Sequence, residues 1–234
     1  MIEVRRGSER QHVRRRKHEG WLTFDAPVDG AAPVGFGRLS ELSESRLPPG
    51  ARAILAPGAD SEMFTYVVDG ALAFSDSTGR AGVLRAGEVQ RATTGPGIRH
   101  HQVNASHEHP VHFLQLRLRP TELQVDPTIE HKRCFAADRR GRLFLVASPG
   151  GQRGSLSMQQ DACIYSALLA EGEHVVHELV ERRIAWLHVV RGEALLGDHH
   201  LSAGDGVGFV GERVVSITAR GDAELLLVDL LDIE

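Results

Sequence analysis

The sequence predicts an all-β protein made of two tandem antiparallel barrels, and three observations carry the prediction. From about Gly50 onward, short apolar runs such as EMFTYVV, HFLQLRL, AWLHVV and ELLLVDL are broken by Gly, Pro, Asp and Ser every ten residues or so. Helical periodicity is scarce along the same stretch. A pattern in the first half recurs in the second, ~120 residues later, an offset too long for a solenoid unit and suited to two domains.

The elements follow in order. The N-terminal run RRGSERQHVRRRKHEGW collects Arg14, Arg15, Arg16 and Lys17, but interleaved glutamates and a net charge of -4 argue for a solvated surface segment and against nucleic-acid contact. The first copy of the repeat is YVVDGALAF followed by VLRAGEVQ, and the second is HVVRGEALL followed by HLSAGDGV. In each, two β-branched residues precede a turn glycine, Gly70 or Gly192, where positive φ is reached without a Cβ clash. Each copy closes on an alternating strand, HFLQLRL in the first and ELLLVDL in the second. The expected domains are residues 1–135, with the N-terminal extension, and residues 136–234.

Composition sets the outer bounds. An apolar fraction of 41% over 234 residues fills ordinary cores, and the pI near 6.4 gives no global pull toward polyanions. No run approaches the ~20 apolar residues of a membrane span, and MIEVRRGSERQH lacks the apolar centre of a secretory signal, so the expected location is the cytoplasm, with no membrane partner. Cys134 and Cys163 stand in neither a zinc nor a thioredoxin spacing, and both are read as reduced, buried thiols.

The segments EMFTYVVDG, DSTG, LRAGEVQ, TGPGIRHHQVN, HFLQL, ASPGGQRGSL and ERRIAWLHVVRG, in that order, resemble the bacterial branch of the pirin family of bicupins. The match runs from Gly20 almost to the C-terminus. The resemblance implies two cupin (jelly-roll) barrels, with one ion, usually iron, held in the first by three histidines and a glutamate. Carried over residue by residue, those ligand positions fall on Ala56, Gly58, His100 and Gln102. Alanine and glycine offer no donor atom and a neutral amide is a poor substitute for a carboxylate, so no metal and no cofactor is expected here. The surrounding framework is kept in Thr65, Tyr66, Gly70, Gly97 and Asn104.

The remaining histidines are weighed as replacements and set aside. On a strand His101 points away from His100, His112 shares parity with Leu114 and Leu116 as a packed or hydrogen-bonded residue, and His199 and His200 fall on an exposed hairpin. What is expected in the first barrel is a pocket lined by Ala56, Gly58, Glu62, His100, Gln102 and Gln115, suited to a small organic ligand. Pirins resemble quercetin 2,3-dioxygenases in some members and act as protein-binding regulators in others. The first role needs the ion. The sequence therefore favours a metal-free small-molecule or protein-binding bicupin, with a quercetin 2,3-dioxygenase-like oxygenase using a non-standard metal site as the alternative.

Overall fold

The computed structural model describes residues 1–15, 17–24, 35–53, 60–95 and 98–232. The chain divides into two compact units, one of residues 11–35 and 39–133, the other of residues 1–10, 36–38 and 134–234. Both are β-structures. The described helical pieces are single turns, the α-helix being Ala136–Arg139, and no described helix is long and apolar enough to cross a membrane.

In the N-terminal unit a seven-stranded sheet runs in the spatial order Thr128–Arg133, Glu88–Thr93, Glu62–Asp69, Val111–Leu118, Leu39–Leu47, His18–Phe24, Gln11–Arg15. A three-stranded sheet of Ala81–Arg85, Ala71–Asp76 and His100–Asn104 stands against it. The apolar core lies between the two: Leu47, Val67, Val111 and Phe113 from the larger sheet meet Leu72, Phe74 and Leu84 from the smaller. Strand alternation explains the selection, since Leu72 and Phe74 are two apart and so face the same way, as do Val111 and Phe113.

The C-terminal unit repeats the plan. Its seven-stranded sheet is ordered Ile2–Arg5, Gly206–Phe209, Arg183–Arg191, Ala223–Leu231, Ala162–Leu169, Phe144–Pro149, Leu156–Met158. Its four-stranded sheet is ordered His174–Glu178, Val214–Ala219, Glu193–Leu196, His199–Ser202. The core between them takes Leu187, Val207, Leu225 and Leu227 from one sheet and Val175, Val215, Ile217 and Leu201 from the other.

The expected boundary at 135/136 places residues 1–10 with the first domain, but they belong to the second unit. Ile2–Arg5 pairs antiparallel with Gly206–Phe209, Ile2 opposite Phe209 and Arg5 opposite Gly206. Just beyond, Arg6 reaches the Asp205 carboxylate at 2.9 Å and the Gly7 amide donates to it at 2.6 Å. The basic run is the surface segment expected, and within it Gln11–Arg15 forms the edge strand of the first sheet, with Gln11, His12 and Arg14 exposed.

Deletion of residues 1–10 leaves Gly206–Phe209 as an open sheet edge and removes the Asp205 contacts. The expected cost to the C-terminal unit is roughly 2–4 kcal/mol, counting ladder hydrogen bonds at about 1 kcal/mol each. Trp186 lies buried in that unit, and Trp21 is half-buried in the other. Thermal unfolding followed by Trp186 fluorescence in a Trp21→Phe background checks the effect, and an unchanged Trp186 transition contradicts it.

Candidate functional site

The interior of the N-terminal barrel turns polar toward one end. On His100–Asn104, the residues His100, Gln102 and Asn104 alternate onto one face, and Gln102 sits directly opposite Phe74, a member of the core. The larger sheet supplies a cross-strand row of Gln115, Thr65 and Gln90, in which Gln115 donates to the Thr65 hydroxyl at 3.2 Å. The next row holds Arg117 opposite Glu41, with a 3.1 Å ion pair between them.

Three atoms here stand out, because burial without a hydrogen bond costs about 1–3 kcal/mol each. His100 Nε2, Gln102 Oε1 and Gln90 Nε2 are sealed from solvent and have no hydrogen-bond partner among the described residues. Asp76, opposite His100, has a sealed Oδ2 as well, while its Oδ1 accepts from the Thr78 amide and hydroxyl. Burial pushes the Asp76 carboxyl up, but the hydrogen bonds from Thr78 and Arg80 outweigh it and the net shift is down. Burial holds the His100 imidazole below its ordinary value. The Asp76 carboxylate opposes that shift, and the positive charge of Arg117 adds to it. His100 is therefore a neutral ring at pH 7.

Of the six residues expected to line the pocket, His100, Gln102 and Gln115 face the interior. Ala56 and Gly58, like framework residue Gly97, lie outside the described residues. Glu62 needs correction. It is three residues from Thr65, which puts it on the opposite face of the strand, where it sits beside Leu118 and 3.9 Å from Arg91, itself paired with Glu130 at 3.0 Å. Gln90 and Arg117 were not singled out from the sequence. Gln90 ends the segment VLRAGEVQ and Arg117 lies in the alternating strand HFLQLRL, but only the register shows them sharing rows with Thr65 and Glu41.

The other expectations for polar residues can be located. His101 is exposed, as are His199 and His200. His112 is buried against Glu44 at 2.7 Å. Cys134 is buried, Cys163 is half-buried, and both are free thiols. Arg14 and Lys17 line an open groove of about 460 Å³ with Arg46 and Glu19. Among the described residues, no group of three or more His, Cys, Asp or Glu is gathered closely enough to hold a metal ion.

Comparison with known proteins agrees with this architecture. Residues 37–118 match the Pirin family and residues 145–230 match the family described as the quercetinase C-terminal cupin domain. The chain is 32% identical over 231 residues to quercetin 2,3-dioxygenase of Escherichia coli K12, covering 98% of this chain and 99% of that protein. It is 30% identical to a pirin-like protein of Caulobacter vibrioides, over 95% of this chain and 94% of the relative. The crystal structure of the bacterial pirin YhhW from Escherichia coli in complex with nickel(II) superposes with a TM-score of 0.91, at 31% identity and over 100% of both chains. With both barrels matched in order and nearly the full length aligned, the chain belongs to the pirin family of bicupins.

Proposed function

We propose that this pirin and quercetinase-like bicupin binds a small organic ligand in its N-terminal barrel without the metal-dependent chemistry of its relatives. The observation that carries the reading is the set of sealed, unpaired atoms at Gln90, His100 and Gln102. Gln90 Nε2 calls for an acceptor, Gln102 Oε1 calls for a donor, and the neutral His100 serves as either according to tautomer. A ligand carrying a hydroxyl beside a carbonyl meets that demand, and the Gln115–Thr65 pair and the Arg117–Glu41 pair supply a polar wall.

The family's ion does not fit the donor set. One imidazole and one amide are what the described strand offers, and positions 56 and 58 carry Ala and Gly; the charges felt by His100 are first the Asp76 carboxylate and then the Arg117 guanidinium, itself paired with Glu41. No step of the mechanism is therefore routed through a metal. The protein's own residues bind and orient the ligand, and the apolar core below them excludes water.

A second reading, an oxygenase with a different ligand set, is favoured by one observation: the full-length relative at 32% identity is a quercetin 2,3-dioxygenase. The two readings separate in a single experiment. Protein expressed in iron-supplemented medium is assayed for bound metal, for saturable quenching of fluorescence by quercetin, and for quercetin turnover with and without added Fe(II), Ni(II) or Mn(II). The expected result is far less than one metal per chain, with binding and no turnover. Near-stoichiometric metal accompanied by turnover establishes the oxygenase instead.

A further inference from the structure

The N-terminal unit carries an open groove of about 460 Å³ that its barrel site does not involve. It lies where strands end. Leu47 closes Leu39–Leu47, Pro110 precedes Val111–Leu118, and Lys17 stands in the turn between Gln11–Arg15 and His18–Phe24. Arg117 lies at the other end of Val111–Leu118, so the polar rows of the barrel are ~20 Å away along the extended strand.

Three cations line the groove. The register sets Arg14 opposite Glu19 and Glu19 opposite Arg46, and Lys17 follows in the turn. Arg14, Lys17 and Arg46 are all exposed. Glu19, although it stands between two arginines, pairs with His12 at 3.1 Å. Among the described residues neither Arg14 nor Lys17 has an ion pair. Arg46 lies over the Trp21 ring at 5.4 Å, and the carboxylate near it, Glu44 at 3.7 Å, is buried and held more closely by His112 at 2.7 Å. His18 adds no charge at pH 7, because burial holds its imidazole below the ordinary value; its Nε2 is 3.0 Å from the Ser45 hydroxyl.

Charge on an edge strand also guards it against pairing with another chain, and Arg14 alone serves that purpose. Lys17 and Arg46 lie off that strand, and guarding an edge calls for no cavity. Three like charges gathered in one groove repel one another, and a bound anion relieves the repulsion.

Charge and size select the anion. The lining holds three cations and one carboxylate, a surplus of two positive charges, which a phosphate monoester near −2 matches and a carboxylate leaves half unmet. Guanidinium forks suit phosphate oxygens bidentately. Pro48 and Pro110 give the remaining wall an apolar surface. A polymer fits less well, because the cations fill one groove and form no stripe while the chain as a whole carries −4.

We infer that this groove binds a small phosphate monoester, with the phosphoryl group between Arg14, Lys17 and Arg46 and an apolar body against Pro48 and Pro110.

The full chain is titrated by calorimetry with phenyl phosphate and with benzoate at low ionic strength, beside the double variant Arg14→Gln, Lys17→Gln. The expected result is one saturable site for phenyl phosphate, about tenfold tighter than for benzoate and about tenfold weaker in the double variant, the worth of the charge-assisted hydrogen bonds removed. Both side chains are exposed and unpaired, so the variant is expected to melt with the parent. If it fails to fold, Lys17→Gln alone takes its place, with a several-fold loss. Affinity for phenyl phosphate unchanged by the substitutions, benzoate bound as tightly, or no saturation by about 10 mM phenyl phosphate overturns the proposal. A single-stranded oligonucleotide and vesicles containing phosphatidic acid are the last arms. Tighter binding to either than to phenyl phosphate assigns the groove to a larger anionic surface and overturns it as well. The substituted residues lie ~20 Å from the polar rows of the barrel, so a ligand held there leaves the comparison unchanged.

Discussion

Replacing Gly192 by alanine is expected to destabilise the C-terminal unit by roughly 3–5 kcal/mol, the sum of a left-handed backbone penalty and a backbone clash. Gly192 has φ +74°, and a Cβ built on it lies 2.0 Å from the carbonyl oxygen of Asp222. The partner is backbone, held by the start of strand Ala223–Leu231, so it has little room to yield. Gly70 is its counterpart in the first barrel, with φ +77° and the Pro110 carbonyl 2.5 Å from the hypothetical Cβ. Gly70→Ala is expected to act in the same direction on the N-terminal unit. Gly79, with φ +88° but open space around it, is the control: alanine there carries only the conformational penalty of about 1–2 kcal/mol. Urea unfolding of the three variants checks the order, and a Gly192→Ala midpoint equal to that of Gly79→Ala rules out the steric account.

The triple change Ala56→His, Gly58→His and Gln102→Glu is expected to raise the affinity of the barrel for Ni(II) or Fe(II) well above that of the parent. The stability data carry a sign that the binding data do not. Gln102 is 2% exposed and its Oε1 already lacks a partner, so a carboxylate there is a buried, unpaired charge and the metal-free variant melts below the parent. Added metal restores stability by linkage, about 2.7 kcal/mol at a concentration one hundred times Kd. Calorimetry with and without Ni(II), beside the parent protein, gives both signs. A variant that folds, melts low and ignores metal shows that positions 56, 58 and 102 do not converge, and the ligand positions carried over from the family then fail.

Much of this was readable from residue order alone. Both turn glycines, the strands around them and the inward parity of His100 and Gln102 follow from local rules: period-two alternation and the freedom of glycine at positive φ. Glu62 lies on the far side of its strand because its face is set by parity with Thr65, three residues on. The row of Gln115, Thr65 and Gln90 joins three separate strands, and nothing local encodes which residues stand opposite one another. The same holds for His177 and Asp229, in contact at 2.8 Å though 52 residues apart and on different sheets. The N-terminal strand is the extreme case. IEVR carries no sign that its partner is GVGF, and the stretch was assigned to the domain that follows it in the chain.

That pairing has a consequence for how the chain is made. Gly206–Phe209 is synthesised about 200 residues after Ile2–Arg5, a wait of roughly 10–40 s at 5–20 residues per second. The residues of the N-terminal barrel core, from Leu47 to Phe113, are all available well before then. Until then Ile2–Arg5 has no sheet partner, and water rather than Gly206–Phe209 meets its backbone groups.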